Sequence, residues 1–134
     1  RRSAVRAEEM TLAPLLLSWI AAPAAPACEL PGGGAQRIES PRHVVLYRMQ
    51  PAPRVGEHFA LDFAVCPAPQ AVRVDATMPE HRHGMNYRPT VTAQGGGLYR
   101  AEGLMFHMAG RWELVFEVRA GGATERLAQS LRLE

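Results

Sequence analysis

Two short segments concentrate the side chains that bind soft metal ions: Met78-Pro79-Glu80-His81-Arg82-His83-Gly84-Met85 and Met105-Phe106-His107-Met108. They hold three of the chain's five histidines and four of its six methionines. Imidazole nitrogen together with thioether sulfur suits copper, and Cu(I) above all. Thioethers do not protonate, and they survive oxidising surroundings that remove thiols. Imidazole serves either oxidation state and is mostly neutral at pH 7, since its ordinary pKa is about 6.5. Methionine is a poor zinc ligand, so zinc fits less well. The expected cofactor is copper, as Cu(I) first and Cu(II) second.

Along an extended segment His81, His83 and Met85 point to one side. Met105 and His107 likewise share a side, with Phe106 and Met108 opposite. The expected ligands are His83, Met85, His107 and Met108, with His81 and Met78 in reserve. Each residue taken alone has a plainer reading. A methionine at the end of a strand usually fills core, and Met78 and Met105 invite that reading. A lone loop histidine is usually solvated. What argues for a metal is H-x-H-x-M in one segment and His-Met in another. The 78–89 loop also has a non-metal reading. Asn86-Tyr87-Arg88-Pro89 would brace it, or offer a patch to a partner protein.

The elements that must position these residues are strands. After Pro41 the apolar pattern has period two rather than 3.6. Val44–Tyr47 is one strand. Phe59, Leu61, Phe63 and Val65 alternate with smaller or polar residues across Glu57–Cys66. Val72–Ala76, Thr90–Ala93, Leu98–Phe106, Trp112–Val118 and Leu127–Leu133 follow, with glycine turns at 95–97 and 121–122. These seven short strands predict an all-β, antiparallel, immunoglobulin-like two-sheet sandwich over residues 42–134. Residues 28–41, rich in Gly and Pro, read as an extended lead-in. If consecutive strands run antiparallel, the 78–89 loop and the 107–110 turn fall at the same end of the sandwich. Met49 and His58 belong to that end too, and His43 to the opposite one.

Arg1, Arg2 and Arg6, an apolar run from Leu12, and Ala25-Pro26-Ala27 follow the layout of a secretory signal peptide over residues 1–27. The run is short for a membrane span and is broken by Pro14, Pro23 and Pro26, so no transmembrane span is expected in the mature form. The expected location is periplasmic or secreted. Setting aside the leader's three Arg and two Glu from the chain's 15 basic and 13 acidic residues leaves a charge of +1. That balance argues against an electrostatic nucleic-acid binder. In an exported chain Cys28 and Cys66 suggest a disulfide. A lipid anchor at Cys28 is the second reading, because Ala25-Pro26-Ala27-Cys28 loosely follows a lipoprotein box. No enzyme is expected. The only aspartates, Asp62 and Asp75, lie on strands, Ser130 has no nearby base, and no glycine-rich phosphate loop opens a helix.

Val74-Asp75-Ala76-Thr77-Met78-Pro79-Glu80-His81-Arg82-His83-Gly84-Met85, followed by Gly103-Leu104-Met105-Phe106-His107-Met108-Ala109-Gly110-Arg111-Trp112-Glu113-Leu114, resembles the YtkA-like and FixH-like exported β-sandwich domains. In those domains an MP.H.HGM loop precedes a hairpin with a GL.F.M.G.W.L pattern, opened here by Gly97 and Tyr99. The resemblance spans about residues 57–120. It implies an immunoglobulin-like sandwich outside the cytoplasm, often linked to metal handling or to assembly of copper enzymes. Two functions are therefore carried forward. One is an exported copper carrier or chaperone that receives copper from, or gives it to, another protein. The other is a non-metal interaction or accessory module that contacts a partner through the 78–89 loop.

Overall fold

A computed structural model describes residues 20–22 and 27–134. The leader reading for residues 1–27 thus lies outside the described residues, apart from 20–22 and 27. Among the described residues no helix is long and apolar enough to cross a membrane.

The described residues form nine strands in order: β1 Gln36–Glu39, β2 Val44–Gln50, β3 His58–Cys66, β4 Ala71–Met78, β5 His83–Gly84, β6 Thr90–Gly95, β7 Leu98–Met105, β8 Gly110–Ala120 and β9 Ala123–Leu133. All pairings are antiparallel, in a five-stranded sheet β1-β2-β3-β7-β6 and a four-stranded sheet β5-β4-β8-β9. The all-β sandwich expected from period-two patterning is present. All seven expected strands are present, and two more appear. β1 lies inside the extended lead-in and pairs with β2. β5 is a two-residue return of the His81/His83 loop onto β4. Neither has an apolar run long enough to announce a strand, because both are edge strands stabilised by backbone pairing rather than by a buried face.

The core sits between the sheets. Phe59, Leu61, Phe63 and Val65 of β3 face Val72, Val74, Ala76 and Met78 of β4 and Trp112, Leu114, Phe116 and Val118 of β8, all buried. Each such large apolar side chain contributes roughly 1.5–3 kcal/mol on burial. Aromatic pairs run through the layer. Tyr47 and Phe63 each pack on Phe116, with ring centres 5.6 and 5.3 Å apart.

At the end opposite the His/Met segments, the 95–97 glycines turn β6 into β7. Gly97 has φ +78°, and a Cβ there would lie 2.6 Å from the Val65 carbonyl oxygen. Its own carbonyl accepts the Val65 N–H at 2.8 Å. Only glycine allows this approach. At the same end Cys28 is disulfide-bonded to Cys66, with a Cα–Cα distance of 5.7 Å and a sequence separation of 38. The disulfide pins the lead-in to the end of β3. A loop of that length contributes about 4 kcal/mol in the chain-entropy account.

Candidate metal centre

β4 ends at Met78, and the chain reverses at once. The His81 N–H donates to the Met78 carbonyl at 3.1 Å, closing a turn with Pro79 next in line. Proline suits that second position of a turn because its φ is already set. Arg82 then takes φ +57°, the left-handed region rarely used by a residue with a side chain. His83 and Gly84 pair back onto Met78 and Thr77. The segment expected to run extended through His81, His83 and Met85 is therefore a tight turn followed by a short strand. An ion pair between Glu80 and Arg111, at 3.1 Å, ties the turn to the start of β8.

The second segment connects β7 in one sheet to β8 in the other. Phe106 is fully buried, and its carbonyl accepts the Gly56 N–H at 2.9 Å. His107 and Met108 follow, half-buried, before Gly110 at φ +123° begins β8. A Cβ on Gly110 would lie 2.9 Å from the Met78 methyl carbon, so the two segments meet closely there.

The result is a cluster of three histidines. The ring centres of His83 and His107 are 5.2 Å apart, and those of His81 and His83 are 5.7 Å apart. Imidazoles that share one ion, with each nitrogen about 2.0–2.1 Å from it, place their ring centres roughly 5–6 Å apart at ordinary bond angles. His83–His107 and His81–His83 both fall in that range, but among the described residues the three rings do not surround one common position. Trp112 forms the floor. Its ring centre is 5.3 Å from that of His107 and 6.0 Å from that of His83, both edge-on.

Two details bear on what the cluster can bind. Nδ1 of His83 lies 3.1 Å from the Gly84 carbonyl oxygen. A carbonyl only accepts, so this bond requires the proton on Nδ1 and leaves the Nε2 lone pair open. Nδ1 of His107 is buried and has no hydrogen-bond partner among the described residues. An unpartnered buried polar atom normally costs about 1–3 kcal/mol, so a hydrogen-bond partner or an ion at this nitrogen would be stabilising.

The methionines divide. Met85 and Met108 are half-buried and pack against the core from the same end, with the Met85 N–H donating to Ala76 O at 3.2 Å. Met78, the reserve ligand, is 1 % exposed and belongs to the core, as its plainer reading has it. Met105 does not take its plainer reading. It is half-buried but is absent from the apolar side chains that pack on the core, and it sits opposite His58 on β3. Among the described residues no group of three or more His, Cys, Asp or Glu is arranged around a common metal position. The soft donors at this end are the imidazoles of His83 and His107, 5.2 Å apart between ring centres, with the thioethers of Met85 and Met108 on the same two segments. The place of Trp112 beneath the histidines is not legible in the sequence, where its alternation with Leu114 and Phe116 marks it only as a buried strand residue.

A β-sandwich with a histidine cluster built where two crossing loops meet is the class of protein that fold and site define. A family model described as YtkA-like matches residues 64–117, a stretch that contains both donor segments. No curated protein and no solved structure matches the chain.

Proposed function

We propose that this protein is an exported copper-binding carrier or chaperone that takes Cu(I) at the His/Met end of the sandwich and exchanges it with another protein, in the periplasm or outside the cell. The observation that carries this reading is the His107 ring, 5.2 Å from that of His83 between centres, with its Nδ1 buried and without a hydrogen-bond partner among the described residues. His83 and His107 would supply the nitrogen donors. His81, Met85 and Met108 stand near enough along the chain to complete the set. Copper bound there would be carried, not used for turnover. Exchange is favoured by the position of His81 on an exposed turn, where an incoming ligand can replace one donor at a time.

A partner-binding module without metal is the second reading. Tyr87 favours it, since 46 % of that large side chain is exposed on the 78–89 loop. Anaerobic titration of the tag-free protein with Cu(I) against a competing chelator separates the two. One tight equivalent, lost in His83→Ala/His107→Ala, supports the carrier. Micromolar or weaker binding that survives both substitutions would sink it.

A further inference from the structure

The outer face of the five-stranded sheet carries a histidine and a methionine side by side at the same end of the molecule. In the β3–β7 ladder Leu61 pairs with Ala101 and Phe59 with Leu104, so Glu102 and Gly103 together oppose Ala60. This is a β-bulge, with Gly103 at φ +85°. Strict alternation from the inward-facing Ala101 would point Leu104 out and Met105 in. The bulge reverses this. Leu104 is fully buried, and Met105 falls directly opposite His58, which is exposed. Directly opposed residues share a face, with Cβ atoms about 5 Å apart. Met105 is thus a thioether on the outer face, away from the core packing that its sequence position suggested. The Tyr87 ring leans edge-on against His58, with centres 5.2 Å apart, and flanks the pair on one side.

We propose that His58 and Met105 form a second, solvent-facing site for a soft monovalent cation, distinct from the His83/His107 cluster. One imidazole and one thioether satisfy Cu(I), which accepts few ligands, whereas harder divalent ions need more and different donors. The two donor groups are joined through the chain. Met105 and His107 flank the buried Phe106, and His83 and Tyr87 lie on one loop. His58 is exposed, while Met105, like His83 and His107, is half-buried. The exposed His58 imidazole suits capture, and the half-buried His83/His107 pair suits retention. The outer site stands on its own geometry, and only the identity of its cargo rests on the copper reading.

The test titrates the protein with Ag(I), a redox-inert soft cation, in chloride-free buffer. It follows the 13C-labelled methionine methyl groups and the histidine ring signals by NMR. The Met105 methyl and the His58 ring should shift in one step, separate from that of His83, His107, Met85 and Met108. His58→Ala should weaken the Met105 step by about 10–100-fold, the loss that even an outer-shell partner produces. It should leave the inner step in place. Met105→Leu keeps the volume and should abolish the His58 shift. A Met105 methyl that never moves, or that moves equally in His58→Ala, overturns the outer site. Inner signals that stay still while Met105 shifts overturn the carrier site alone, and no shift anywhere overturns both.

Discussion

The indole Nε1–H of Trp112 donates to the carbonyl oxygen of Met108 across 3.0 Å. Through this bond the fully buried ring that floors the histidine cluster also closes the turn carrying His107. Trp112→Phe keeps most of the apolar area and removes the donor. The protein should lose about 1–2 kcal/mol in urea unfolding from the unmade bond, with a further loss from the smaller ring. Cu(I) affinity should fall as the turn loosens. Unchanged stability together with unchanged affinity would show that the bond holds nothing in place.

His107 should trade stability for binding. Its Nδ1 is buried without a hydrogen-bond partner among the described residues. His107→Phe removes that unsatisfied nitrogen and keeps a ring against Trp112. The metal-free variant should be as stable as the parent or more stable, by about 1 kcal/mol, while losing the tight Cu(I) equivalent. A clear drop in thermal midpoint for the metal-free variant would mean the imidazole is structural.

Acid should unfold the protein partly through Glu125. The Ser40 hydroxyl, then His43 and Arg42, favour its charged form and hold the carboxyl below its ordinary value of 4.5, against the opposing effect of burial. The His43 ring nitrogen lies 2.5 Å from the Glu125 carboxylate, and Arg42 lies 3.2 Å away. A lowered folded pKa contributes stability that is fully present above the unfolded value. That stability is lost as pH falls through the folded one. The thermal midpoint should therefore drop as pH is lowered from about 4.5, and Glu125→Gln should flatten that part of the curve while lowering the plateau near neutrality. Parallel curves for parent and variant would refute the assignment.

The disulfide should dominate stability at the opposite end of the molecule. Cys28→Ser/Cys66→Ser opens the loop and should cost about 4 kcal/mol in guanidinium unfolding. The histidine cluster, at the far end, should keep its Cu(I) affinity once the variant is folded. A parallel loss of affinity would mean that the two ends of the sandwich are coupled.

Much of this protein was legible residue by residue. Period-two runs such as Phe59-x-Leu61-x-Phe63-x-Val65 and Trp112-x-Leu114-x-Phe116-x-Val118 mark strands with one buried face, because a pleated strand turns every second side chain inward. Counting antiparallel strands from β4 to β8 then puts His83 and His107 at one end. Where His83 and His107 stand relative to each other needed the tertiary fold, since the two segments reach each other only where the chain crosses between sheets. The turn through His81 and the left-handed Arg82 were also out of reach, because local hydrogen bonding chose them over the extended conformation. Met105 shows the limit most plainly. Strict alternation assigns it to the core, yet the bulge at Gly103 shifts the parity of β7 by one and turns its thioether outward beside His58. Local pattern thus determined which residues become strands and which end carries the donors. Long-range pairing, with one extra residue in one strand, decided which donors face one another.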